Sequence, residues 1–189
     1  MAMFKKFVFF MVLALLTLSV GCQQQQARRP VSHSSGAFMK ASVERNKKLI
    51  KNDETKIDSI IKSNTNIQYI ASKKGYWYYY EKKNTTDTLR PKKGDIAFFD
   101  YEIKDLDGNV IYSDLELKGQ SYRVDKQTII TGLQHGLKLM RKNESVTFLF
   151  PSHMAYGYHG DNRRIGTNEP IICKVTLTDF RPENKLNEQ

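Results

Sequence analysis

Residues 129–140 read IITGLQHGLKLM and residues 144–157 read ESVTFLFPSHMAYG, and the fold turns on these two neighbouring stretches. In the first, Leu133, Leu137 and Met140 recur at i, i+4 and i+7, which is one face of a helix, and Thr131 stands where an N-cap belongs. In the second, Glu144 to Phe150 reads as a strand, and a loop carrying Ala155-Tyr156-Gly157 follows Pro151. A single short helix among strands predicts an α+β domain, with Leu137 and Met140 turned into its core.

The segments on either side keep to this pattern. From Ile96 to Lys104, Ala97, Phe99, Tyr101 and Ile103 share one face while Asp100, Glu102 and Lys104 share the other, so one side of this strand is buried. Asp107-Gly108 marks a hairpin turn into a strand at Asn109–Ser113. Ser121–Asp125 is a further strand, and a final one over Pro170–Phe180 turns Ile171, Cys173, Val175 and Leu177 inward. The run Tyr76-Trp77-Tyr78-Tyr79-Tyr80 predicts a strand whose rings cover both faces. The expected sheet is antiparallel, with only the one helix interrupting its strands.

The N-terminus has a different texture. Lys5 and Lys6 precede an uncharged run from Phe7 to Val20, the positive and apolar regions of a secretory signal. The run is shorter than the about 20 residues that span a bilayer. It closes at Ser19-Val20-Gly21-Cys22, which resembles the lipobox of bacterial lipoproteins and implies a diacylated Cys22 at the new terminus. Expected boundaries are therefore a signal peptide at 1–21, a lipidated Cys and flexible tether at 22–36, an amphipathic helical segment at 37–65, the folded domain at 66–182 and a polar tail at 183–189. Within the helical segment Phe38, Met39, Val43, Leu49, Ile50, Ile57, Ile60 and Ile61 recur at helical spacings between charged residues, as one long helix or two shorter ones. With Gln rather than Asp after Cys22, the outer membrane is favoured, with the domain facing the periplasm.

Composition narrows the classes further. Two Cys make no disulfide scaffold, and five Pro with eleven Gly are too sparse for a low-complexity chain. Thirty Lys and Arg against twenty Asp and Glu give a net charge of +10, a balance that fits nucleic acid or an anionic membrane. Export leaves the membrane as the expected partner and no nucleic acid. His135, His153 and His159 lack ligand spacing, so no metal is expected.

Ile129-Ile130-Thr131-Gly132-Leu133, Gly136-Leu137, Met140, Glu144, Pro151, Ala155-Tyr156-Gly157 and Ile165 form an ordered series that resembles the FK506-binding-protein (FKBP) type of peptidyl-prolyl cis-trans isomerase. The similarity covers about residues 66 to 181. It implies an FKBP-like antiparallel sheet wrapped on one short helix, rotamase activity without a cofactor, and proline-containing polypeptides as clients. By motif position it implies Tyr101 on the pocket floor, Ile129 on its wall, Ile165 on the flap, and the Ile130 N–H with the Tyr156 hydroxyl as donors to substrate carbonyls. The whole chain also resembles FKBP-type lipoproteins associated with gliding motility, which implies envelope motility proteins as further partners.

Several positions depart from the family pattern. Its pocket Phe-Asp pair falls on Ile111-Tyr112, so the acid is lost unless Asp114, two residues on and on the same side, takes its place. Its floor Trp is Leu133, a wall aromatic is Cys173, and Arg163 and Arg164 occupy an apolar part of the flap. Asn143 takes a place where the family has Gly, and Asn tolerates the left-handed conformation needed there. These changes favour a second reading, a catalytically weak FKBP-like binding or scaffold module of an envelope complex.

Overall fold

The computed structural model describes residues 36–182. The expected signal peptide, the lipidation site at Cys22, the tether up to residue 35 and the tail at 183–189 lie outside the described residues. The chain divides into two compact units, Met1–Met39 and Lys40–Gln189. Of the first, only Gly36–Met39 is described, as helix, and Phe38 and Met39 are exposed there.

In chain order the elements are α1 (Gly36–Ser63), β1 (Ile70–Ala71), β2 (Trp77–Lys82), β3 (Ile96–Lys104), β4 (Val110–Tyr112), α2 (Asp114–Leu117), β5 (Gln120–Arg123), α3 (Thr131–Leu137), β6 (Ser145–Phe150) and β7 (Ile171–Arg181). The helical segment is thus one helix of 28 residues. Among the described residues the strands form one antiparallel sheet in the order β1-β2-β6-β7-β3-β4, with β5 also paired to β3. The outer edge of β3 is shared. Residues 96–99 pair with β5, and Ile103 and Lys104 pair with β4. Between them the Asp100 carboxylate accepts from the Gly119 N–H at 2.6 Å, so the gap has a bonded partner.

Two local expectations are corrected. A second short helix, α2, interrupts the strands because Ser113 and Glu116 form a reciprocal capping box. At α3 the N-cap is Ile130, at φ −55° and ψ 139°, and Thr131 is already helical and exposed. Burial of the apolar pair Ile129-Ile130 against the core sets this helix start, and no side chain caps it. Asn143 is left-handed as expected, at φ 64°.

The core lies between α3 and the sheet. Val146, Phe148 and Phe150 of β6 face the helix, and the two phenyl rings stack at 5.3 Å, backed edge-on by Tyr76. A Cβ on Gly132 would stand 2.6 Å from the Phe150 ring, and one on Gly136 would stand 2.8 Å from Phe148. Both glycines are required by this close approach. The aromatic strand covers both faces: Tyr76, Tyr78 and Tyr80 join this core, while Tyr79 meets Tyr69 at 5.2 Å on the outer face. On that outer face Leu149 is buried, as is Ile57 of α1, and both stand outside the main cluster.

Gly136→Ala is expected to lower the unfolding free energy by about 1–3 kcal/mol, the usual cost of overpacking a tight core. Gly132→Ala should lie at the upper end. Urea denaturation measures both, and an unchanged midpoint would mean that α3 lifts off the rings without cost.

Candidate functional site

Strand alternation sets Tyr101 on the core side of β3 between Phe99 and Ile103, with its ring 5.5 Å from that of Phe99. It is half-buried and stands next to the gap between β4 and β5. Ile129 and Ile130 enter α3 half-buried against the same core, and Leu133 follows one turn in, fully buried. Gln134 engages both isoleucine carbonyls: its N–H donates to Ile130 O at 3.1 Å and its amide to Ile129 O at 2.9 Å. The N–H of Ile130 makes no hydrogen bond among the described residues. Tyr156 sits between two 3-10 turns, Ser152–Met154 and Gly157–His159, and packs partly buried on the core.

The hydroxyls of this patch are kept neutral. Burial, with Tyr101, Cys173, Asp161 and Tyr112 nearby, pushes the Tyr156 phenol far above its usual range. Tyr101 is raised for the same primary reason, and a hydrogen bond with the Tyr156 hydroxyl partly opposes the shift. Cys173 is fully buried beneath, and burial holds its thiol protonated. A buried, protonated thiol of this kind packs as a small apolar side chain.

A tight network closes the flap. The Tyr112 hydroxyl donates to Asp161 Oδ2. Asp161 Oδ1 accepts the N–H groups of Arg163 at 2.8 Å, Arg164 at 3.0 Å and Ile165 at 2.8 Å. The Arg164 guanidinium lies 4.8 Å over the Tyr112 ring, donates to Ile111 O at 2.7 Å and pairs with Glu116 at 2.9 Å. Gly160 is obligatory, since a Cβ would come within 2.3 Å of Ile165 O at a φ of +63°. Together these bonds press Ile165 into the core, where it is 3% exposed.

The structure therefore brings Tyr101, Tyr112, Tyr156 and Cys173 into mutual range and sets Ile111, Ile129, Ile130, Leu133 and Ile165 on the same core. Leu133 and Cys173 act from beneath, because neither reaches the surface. Asp114 is exposed in the first turn of α2, and Asp161 is the carboxylate that meets Tyr112. The sequence signal for it was Gly160-Asp161 ahead of three amides, an Asx-type turn.

Residues 87–178 match the sequence model of the FKBP-type peptidyl-prolyl cis-trans isomerase family. A "Probable FKBP-type peptidyl-prolyl cis-trans isomerase" of Haemophilus influenzae is 27% identical over 115 residues, which cover 61% of this chain. The match covers 46% of that protein, so the chain spans about half the length of this curated relative. Among solved structures, FkpA from Escherichia coli aligns with a TM-score of 0.59 at 20% identity, covering 95% of this chain and 83% of that one. A peptidyl-prolyl cis-trans isomerase from Pseudomonas syringae aligns at 0.57 and 18% identity, covering 71% of this chain and 94% of that one. These two likenesses show an FKBP-like fold.

Acid should open the flap in a defined window. Burial alone would raise the Asp161 carboxyl, but the bonds from Tyr112, Ile165, Arg163 and Arg164 outweigh it and hold the group below its ordinary value. A carboxyl depressed in the folded state stabilises above its unfolded pKa and loses that stabilisation as pH falls through the folded one. Amide exchange at residues 163–165 is expected to stay protected down to about pH 4, the ordinary carboxylate range, and to accelerate only below it.

Proposed function

We propose, from the match of residues 87–178 to the FKBP-type peptidyl-prolyl cis-trans isomerase family and from the patch described above, that the chain catalyses the cis-trans rotation of X-Pro bonds in polypeptide clients. Rotation about a peptide C–N bond faces a barrier of about 18–20 kcal/mol, and X-Pro is the bond for which both isomers are populated. The twisted amide has lost conjugation and its carbonyl is less polar, so an apolar surface that excludes water favours it over the planar ground state. No nucleophile takes part.

The observation that carries this reading is a neutral apolar patch bordered by two donors. Among the described residues the Ile130 N–H is unengaged, and the Tyr156 hydroxyl keeps its proton. In the proposed cycle the proline ring rests on Tyr101 and Ile129, with Ile165 backing the patch from beneath. Its flanking carbonyls accept from Ile130 and from Tyr156, which gives up its bond with Tyr101. Ile111 and Tyr112 border the flap side of the patch.

Around this activity we set an exported, lipid-anchored protein of the outer membrane. The apolar run ending at Cys22 supports the anchor, and client folding in the periplasm follows from it. Association with envelope motility proteins rests on whole-chain resemblance alone. One observation favours the second reading, a binding or scaffold module: Leu133 and Cys173 are buried where the family presents aromatic walls.

A protease-coupled proline-peptide assay on the purified protein separates the two. Catalysis above buffer is expected, with kcat/KM reduced about tenfold in Tyr156→Phe, the cost of one transition-state donor. A rate no higher than buffer, unchanged by that substitution, would leave the binding module. Labelling cells with a fatty-acid probe tests the anchor: incorporation is expected in the parent chain and lost in Cys22→Ser, and label persisting in the variant would refute it.

A further inference from the structure

The apolar stripe of α1 contains one charge that its periodicity does not explain. Asp53 lies between Ile50 and Ile57 at i−3 and i+4, and it is only 3% exposed. A buried carboxylate is costly unless its oxygens are engaged. Here Oδ2 accepts twice from one residue 99 positions away, from the Ser152 N–H at 3.0 Å and from the Ser152 Oγ at 2.6 Å. An apolar residue at this place would dock the helix equally well. The carboxylate adds a fixed register between α1 and Ser152.

Ser152 is where the approach to Tyr156 begins. Pro151 fixes the backbone just before it, and Ser152 opens the 3-10 turn Ser152–Met154. The first N–H groups of a helical turn have no partner within it, and Asp53 supplies the acceptor. Met154 N–H donates to Pro151 O at 2.9 Å and Ala155 N–H to Ser152 O at 3.0 Å, so the turn is bonded through to the residue before Tyr156. On the far side, Gly157 O accepts from Asn168 N–H at 2.8 Å.

We propose that Asp53 is a positioning residue for the Tyr156 hydroxyl, acting through Ser152, so that the N-terminal helix is a working part of the isomerase site. The assignment rests on the reading of Tyr156 as a substrate donor, and its structural half is measurable without any activity. Displacing α1 frees the Ser152 amide and lets the turn unwind, which moves the donor away from the carbonyl it serves.

The full chain tests this with Asp53→Ala, Asp53→Asn and Ser152→Ala, each also combined with Tyr156→Phe. Asp53→Ala is expected to lower kcat/KM about tenfold, as a small misplacement of a catalytic group does. Asp53→Asn should recover most of that, because its amide oxygen still accepts from Ser152. In the Tyr156→Phe background Asp53→Ala should cost nothing further, the signature of two residues acting in series. Ser152→Ala, which keeps the backbone bond, should show a smaller effect in the same direction and serves if Asp53→Ala folds poorly.

Amide exchange at residues 153–157 should accelerate in Asp53→Ala while residues 146–150 stay protected. Equal losses of activity in both backgrounds would overturn the proposal, as would unchanged exchange at 153–157. If the parent chain shows no isomerase rate, the activity reading fails separately, and the exchange result still decides whether Asp53 holds the turn.

Discussion

The depth at which α3 sits on β6 governs the rest of the site. Without side chains at Gly132 and Gly136, the helix rests directly on the stacked rings of Phe148 and Phe150. Ile129 and Ile130 form its entry, so this depth also sets how the Ile130 N–H stands at the edge of the apolar patch. The rings cannot retreat. Tyr76 and Tyr78 pack behind them, and β6 is held between β2 and β7 from Ser145 to Leu149 and by β7 at Phe150. A core packed at the density of an organic crystal passes any shift of the helix to the residues at its start.

The chemistry of an amide rotation explains why the polar groups around the patch hold no free charge. Tyr101 and Tyr156 have raised pKa values, Cys173 keeps its proton, and Asp161 is engaged by four donors. Arg164, the nearest cation of the flap, is held by Glu116 and the Ile111 carbonyl. A fixed charge at the patch would favour the planar, more polar amide and so stabilise the wrong state. What remains for a substrate is apolar surface with neutral donors at its border.

The sheet was legible in the sequence because its signals are local. Alternation over Ile96–Lys104 and the spacing of Leu133, Leu137 and Met140 reach only a few residues along the chain. Resemblance then pointed to Tyr101, Ile130 and Tyr156, which chain periodicity alone would leave as ordinary core and loop positions. The parts that escaped depend on partners far away in sequence. Asp161 meets Tyr112 across 49 positions, Arg164 reaches Ile111 across 53, and Asp53 reaches Ser152 across 99. Asp53 also looks like a solvated charge on an amphipathic helix until the helix is docked. The cap of α3 was missed for a different reason: burial of Ile130 overrode the capping preference of Thr131, while the Ser113–Glu116 box at α2 was a readable signal.

Residues at the positions that depart from the family pattern are bonded between strand and flap. With Tyr at position 112 the strand has a hydroxyl where an acid is expected, and the flap supplies the acid as Asp161. A hydroxyl–carboxylate pair thus bridges strand and flap. The same carboxylate also caps the three amides leading into Ile165. Leu133 and Cys173 are small, and a pocket with thinner walls needs another source of rigidity. Here it comes from the flap itself, tied to β4 through Tyr112 and Ile111 and to α2 through Glu116. Those bonds form a hydrogen-bonded frame that holds Ile165 against the same core.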